Sequence, residues 1–205
     1  MMYAPVAKLT AKGRATRERI VRAASELMFE RGVARTTIED IQESAGVSAS
    51  QMYHYFANKH DLVAAVIDRR TDQVLGGQES ELHRVDSIEA LHRWRNTMVD
   101  VMRGLGCVGG CPIGSLASEL SDADPLARAR LARAFAQWEA LIREGLAAVA
   151  ARGELPTGLS VDRMALAMLS GVQGGLLLSQ VRRDTSALEA AVDTIIEHLR
   201  RALST

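Results

Sequence analysis

Cysteine is nearly missing from this 205-residue chain. Two residues cannot build the disulfide framework of a small secreted domain, so a reducing compartment is expected. Only four prolines occur, too few for a linker-rich or low-complexity chain. Aromatic residues make up 4%, and the abundant Ala, Leu, Arg and Glu favour helix over sheet. Neither sign of charge prevails: 25 basic and 25 acidic side chains give a formal net charge of +0, which taken alone counts against a polyanionic partner. Long apolar runs are also lacking. The stretch from Met164 to Leu178 is interrupted by Ser170 and Gln173 and is shorter than the roughly 20 residues a bilayer requires. The opening MMYAPVAKLTAKGRATRER lacks the apolar core of a signal peptide. A soluble cytoplasmic protein with no membrane partner is expected.

Enzymatic signatures are equally thin. There is no G-x-S-x-G and no phosphate-binding glycine loop, and no His lies near either Cys in sequence. The five His, at 54, 60, 83, 92 and 198, are scattered without ligand spacing. No catalytic residue, metal or cofactor is expected; a cysteine-dependent enzyme remains only as an unlikely alternative.

What the sequence does contain is helical period from end to end, with 47% hydrophobic residues to build a core. Nine helices are expected. The first runs from about Thr16 to Arg31, with Ile20, Ala24, Leu27 and Met28 on one face and Gly32 as its stop. Thr36-Thr37-Ile38-Glu39 reads as a capping box opening the second, and Ser48-Ala49-Ser50-Gln51 repeats the pattern for the third. Asn58, with Asp61 in the first turn, opens a fourth from Lys59 to about Leu75, stopped by Gly76-Gly77. The remainder are placed at Ser87 to Leu105, Ser115 to Leu120, Pro125 to Arg152 after an Asp124 cap, Ser160 to Arg183, and Thr185 to Leu203. Residues 76–86 and 153–159 are the expected loops.

Charge is balanced in total but not in place. Residues 1–60 hold nine basic against six acidic side chains, and residues 1–22 hold six basic residues against Glu18 alone. Such an arm draws a polyanion to one end of a molecule, although a charge cluster also serves as a solvated surface. Just beyond it, Ile38, Ile41 and Ala45 share a helix face, Gly46 supplies a tight turn, Val47 plugs the core and Ser48 caps a helix bearing Met52 and Tyr55 inward. Two helices crossing through a short Gly-containing turn form a helix-turn-helix, whose second helix suits the major groove of DNA.

The residues at this spacing resemble the DNA-binding domain of TetR-family transcriptional regulators. The resemblance rests on Thr36-Thr37, Ala45-Gly46-Val47-Ser48, Tyr53-x-x-Phe56 and Lys59, with Ile20, Ala23-Ala24, Phe29 and Gly32 in the helix before; it covers about residues 14–65. Gln42 departs from the small residue usual there. The resemblance implies an all-α fold: a three-helix helix-turn-helix domain over residues 1–62, with 1–14 as a flexible basic arm, then a ligand-binding and dimerisation domain over 63–205. It implies that Thr36, Thr37, Tyr55 and Lys59 contact phosphates, that Ala49, Ser50, Gln51, Tyr53 and His54 face base edges or flanking phosphates, and that Ser48, the cap, is among the DNA-binding residues. Gln51 suits adenine through its amide, but it is also the capping partner of Ser48. Lys8, Lys12 and Arg14 would enter an adjacent minor groove.

The larger C-terminal part has no comparable signature. Its last two helices combine small and apolar residues, among them Ala165, Gly171, Gly174-Gly175, Leu176-Leu177-Leu178, Leu188, Val192, Ile195-Ile196 and Leu199. They suit an internal core and, by the resemblance, a homodimer interface over about 160–203. Such a dimer would set two recognition helices about one DNA turn, roughly 34–36 Å, or a multiple apart on a pseudo-palindromic operator. Trp94, Met98 and Met102 recur at helical spacing and Trp138 lies on a later helix. They read as core, and the resemblance adds the reading of a pocket for a small-molecule effector that releases the DNA. Cys107 and Cys111, in Gly106-Cys107-Val108-Gly109-Gly110-Cys111-Pro112, resemble a family subset with a Gly-Cys-Pro motif. Buried inert thiols and a redox or electrophile sensor are the alternatives.

Overall fold

The computed structural model describes residues 9–156 and 158–201, and among them all regular structure is helical, in nine α-helices. These are α1 (Ala11–Arg31), α2 (Ile38–Ala45), α3 (Ala49–Tyr55), α4 (Lys59–Leu82), α5 (Ile88–Gly104), α6 (Pro112–Leu120), α7 (Pro125–Ala151), α8 (Val161–Arg182) and α9 (Ser186–Arg201). Most begin where a capping side chain satisfies orphan amides. Ser87, Asp124 and Ser160 accept from backbone N–H groups at the starts of α5, α7 and α8.

Four differences from the expected boundaries have a plain physical cause, and the expected end of α9 at Leu203 lies outside the described residues. First, α1 starts at Ala11, because the Thr10 hydroxyl accepts from the Gly13 amide at 3.1 Å. Lys12 and Arg14 are therefore helical rather than part of a flexible arm, and Lys8 lies outside the described residues. Second, the capping box of α2 is Thr37 with Asp40, one residue later than expected, because the Thr36 hydroxyl is already committed to the Gly32 carbonyl at 2.8 Å. Third, α4 passes through Gly76 and Gly77 and ends at Leu82. Two interior glycines cost about 1 kcal/mol each. The extra turns offset this by burying Leu82 and by placing Gln78 to accept from Trp94 Nε1 at 2.6 Å. Fourth, α6 opens at Pro112, where the missing N–H of proline costs nothing.

By contacts the chain forms two compact units. The first comprises the described residues up to Thr71 together with Leu116–Leu131; the second comprises Asp72–Ser115 and the chain from Ala132 onward. Residues 63–71 thus group by contacts with the helix-turn-helix, and so does a segment distant in sequence. In the first unit Ile20, Ala24, Ile41, Met52, Phe56 and Leu62 are buried. Full burial of each larger side chain contributes about 1.5–3 kcal/mol.

In the second unit Trp94, Leu91, Trp138, Leu146, Met168, Val172, Val192 and Ile196 form the core. Here α8 lies directly on α9: an added Cβ on Gly171 would come within 3.1 Å of Ile195 Cδ1. Arg95 of α5 bonds Glu189 and Asp193 of α9. α8 is long and apolar enough to cross a membrane by length and composition alone. Its Ala165, Met168, Leu169, Val172 and Leu176 are buried in the unit, as in a core helix.

Candidate nucleic-acid interface

α2 ends at Gly46, whose φ of 60° and ψ of 46° place it in the left-handed region. An added Cβ would meet nothing within 4 Å, so the turn demands glycine for its dihedrals and not for space. Arg19 Nε donates to the Ala45 carbonyl at 2.7 Å and places a cation at the negative end of the α2 dipole. Val47 is buried beyond the turn, and Ser48 starts α3 in extended conformation.

The capping box of α3 is complete. Ser48 Oγ accepts from the Gln51 amide at 3.2 Å, and Gln51 Oε1 accepts from the Ser48 amide at 3.0 Å. Seven residues then divide by face. Met52 is fully buried, and Phe56 just beyond is buried beneath the Arg17 guanidinium, 5.1 Å from its ring centroid. Ser48, Ala49, Ser50, Gln51, Tyr53 and His54 are exposed, Tyr53 at 56%. A second short helix with a bare outer face and a buried inner one is what groove recognition requires.

The flanking residues divide differently. Thr37 is exposed at the α2 N-terminus, where its hydroxyl accepts from the Asp40 amide and Asp40 answers by accepting from the Thr37 amide. The bond donated by the Thr37 amide, followed by one from the Thr37 side chain, holds the Asp40 carboxyl below its usual range. Thr36, expected at a phosphate, is fully buried with its hydroxyl spent on Gly32, so its side chain does not reach the surface. Tyr55 is half-buried, and its hydroxyl lies 3.5 Å from where a Cβ on Gly13 would sit, which brings the foot of α3 beside the start of α1. Lys12 and Arg14 flank that glycine. Lys59 is half-buried, with Nζ donating to the Val33 carbonyl at 2.7 Å.

A carboxylate from a segment distant in sequence also belongs to this unit. Glu119 of α6 accepts from the Val33 amide at 2.9 Å and the Ala34 amide at 2.7 Å. Only the fold brings it there, across 85 residues or more; no local pattern marks it.

The residues expected to line an effector pocket all fall in the second unit. Trp94, Met98, Met102 and Trp138 are buried; Trp94 has its Gln78 partner, while Trp138 Nε1 has none. Cys107 and Cys111 are free and buried. Burial pushes the Cys111 thiol up, opposed by hydrogen bonds from Gly114, Gln173 and Ile113. Its sulfur sits at the α6 N-terminus and accepts from the Gly114 amide at 3.4 Å. Cys107 has a left-handed φ of 54°, and its carbonyl accepts from Arg183 at 2.9 Å.

Comparison with known proteins agrees with this arrangement. Residues 20–66 match the family described as bacterial regulatory proteins, tetR family, and residues 87–195 match the tetracyclin repressor-like C-terminal domain. The HTH-type transcriptional regulator TtgR of Pseudomonas putida is 32% identical over 196 residues, spanning 90% of this chain and 91% of its own. An uncharacterized HTH-type transcriptional regulator in the lacX 3' region of Lactococcus lactis subsp. lactis is 30% identical, over 89% of this chain and 92% of its own. Among solved structures, a TetR transcriptional regulator from Chloroflexus aurantiacus superposes with a TM-score of 0.77 at 28% identity, covering 92% of this chain and 96% of its own.

Proposed function

This chain belongs to the tetR family of bacterial transcriptional regulators, which are not enzymes, and we propose that within it the protein is a cytoplasmic homodimeric repressor released from a pseudo-palindromic operator by a small-molecule effector. The observation that carries the reading is the division of α3: Met52 inward, Gln51, Tyr53 and His54 outward on a helix capped at Ser48. Ala49, Ser50, Gln51, Tyr53 and His54 are assigned to base edges and flanking phosphates, and Thr37, Ser48, Tyr55 and Lys59 to the phosphate backbone. Because Gln51 Oε1 is engaged by the Ser48 amide, its Nε2 is the group left for a base. It would therefore read an acceptor such as guanine O6 or N7, rather than pair both edges of adenine.

Dimerisation is supported by one face of α8. Leu166, Leu177 and Val181 are exposed there around Ser170 and Gly174, with Leu178 beside them, while Gly171 and Gly175 turn to α9. Apolar side chains aligned on one helix face call for a partner surface, and a second copy supplies the two-fold symmetry that a palindromic site requires.

The effector reading is assigned to the second unit, through Trp94, Met98, Met102 and Trp138. Both tryptophans of the chain lie in this unit, so tryptophan emission, excited apart from the tyrosines, reports there alone. The alternative of a thiol sensor at Cys107 and Cys111 is less well supported, because burial disfavours the Cys111 thiolate that such chemistry needs. The test is selection of duplexes from a random pool. The protein should enrich an inverted repeat, bind it as a dimer with steep salt dependence, and release it to a compound that also shifts the tryptophan emission. Failure to enrich any duplex at low salt would falsify the reading.

A further inference from the structure

The helix-turn-helix is entered through residues 32–37 and left through residues 56–60, and both ends are tied to one short stretch of chain from the far side of the sequence. At the entrance, the two carboxylate oxygens of Glu119 each take one of two consecutive amides, Val33 N–H at 2.9 Å and Ala34 N–H at 2.7 Å. The carbonyl of Val33 is held from the other side by Lys59 Nζ at 2.7 Å, so this residue is gripped at both its amide and its carbonyl. At the exit, His60 Nδ1 lies 2.8 Å from Asp124 Oδ2, while the other oxygen of Asp124 caps α7 through the Leu126 and Ala127 amides. Glu119 and Asp124 lie five residues apart, inside the segment Leu116–Leu131 that packs with the first unit.

We propose that Glu119 is a positioning residue for DNA binding, with the His60–Asp124 contact as its counterpart: together they fix the α1–α2 turn and the start of α4, and so set the pose in which α2 and α3 meet the duplex. Gly32 precedes the gripped residues at a φ of 84°, a backbone state with little intrinsic preference for one exit direction. Two charge-assisted bonds to the next two amides supply that direction, and the exposed Thr37 cap follows three residues later. An added Cβ on Gly32 would come within 3.3 Å of Glu119 Oε2, so the carboxylate also depends on glycine for its approach. The inference rests on the reading of α2 and α3 as the DNA-binding element and adds how that element is held.

The test uses the full-length protein and a duplex that the wild type has enriched from a random pool. In Glu119→Gln one amide keeps a carbonyl acceptor while the other faces an NH2 group, donor against donor. Dissociation constants are measured beside the active fraction from stoichiometric titration, the melting temperature, and amide hydrogen exchange at Val33 and Ala34. Expected for Glu119→Gln is an affinity loss of about tenfold or more, faster exchange at those two amides, an active fraction near wild type, and a melting temperature lowered by no more than about a few degrees. His60→Ala should give a smaller loss of the same kind. Unchanged affinity in both variants overturns the proposal and leaves the DNA-binding reading intact. A loss confined to the active fraction also overturns it, since that marks a fold defect and not a pose. A wild type that enriches no duplex overturns both.

Discussion

Gly175 of α8 and Leu188 of α9 approach so closely that a Cβ on the glycine would fall 2.6 Å from the Leu188 Cα. That atom is backbone and cannot swing aside, so the helices would have to part. Gly175→Ala should therefore destabilise the second unit by about 1–3 kcal/mol, the usual cost of overpacking. Chemical denaturation of the variant beside Gly77→Ala checks this: Gly77, inside α4, meets nothing within 4 Å, and its alanine should be neutral or slightly stabilising, whereas Gly174, next to Gly175, is equally open in one chain but lies on the face assigned to a second copy.

These two glycines also show where sequence reading runs out. Both stand in one small-residue run, and only the helix register separates the one that faces α9 from the one that faces outward. Local signals translated well: Ser48 with Gln51, Asp124 before Pro125, and Gly46 as a tight turn each depend on neighbours a few residues away. Signals open to two local solutions did not. Thr36 and Thr37 are equally good caps by type, and the Gly32 carbonyl, an acceptor set by the end of α1, decides between them. Gly76-Gly77 looks like a stop, yet α4 continues because Leu82 and Gln78 have partners that only the folded unit provides. Glu119 is wholly tertiary. The outward face of α3 was legible because seven residues between a cap and a buried Phe56 leave little freedom.

The base contact proposed for Gln51, beside its capping bond to Ser48, gives a base-level prediction. Gln51→Glu keeps a side-chain oxygen for the Ser48 amide but removes the N–H donors. Preference at a single base pair per half-site should relax by about 1–3 kcal/mol, measured on singly substituted duplexes, while helix content and melting temperature hold. A loss spread uniformly over all sequences would instead mark simple charge repulsion and remove Gln51 from base readout.

Asp124 carries a pH prediction. Its carboxyl lies below the ordinary 3.8, first through the Ala127 amide and then through His60. A group whose folded pKa is depressed adds stability above its unfolded value and loses it as pH falls through the folded one. Asp124→Ala should thus melt earlier than wild type at pH 6, and the gap should shrink steadily below about 3.8 as the wild-type carboxyl is protonated. Thermal unfolding from pH 6 to pH 2.5 measures it. A gap that stays constant throughout would mean that the charge of the Asp124 carboxyl contributes nothing to stability.

The exposed face of α8 sets the last prediction. Leu177 is 60% exposed and Val181 72%, one turn apart in line with Leu166, and neither fills the core of its own unit. Replacing either with a charged residue should leave the fold of one chain undisturbed, because the side chain already points to solvent in it. Across a two-fold interface each substitution is counted twice and sets like charges together, so the dimer should fail. Leu177→Glu is expected to run as a monomer of 22.2 kDa by light scattering, with helicity unchanged. Its operator affinity should collapse, since one helix-turn-helix on one half-site forgoes the contacts of the second. A Leu177→Glu protein that remained dimeric would move the interface elsewhere, with the small outer residues of α9 (Ala187, Ala190 and Thr194) next to be tested.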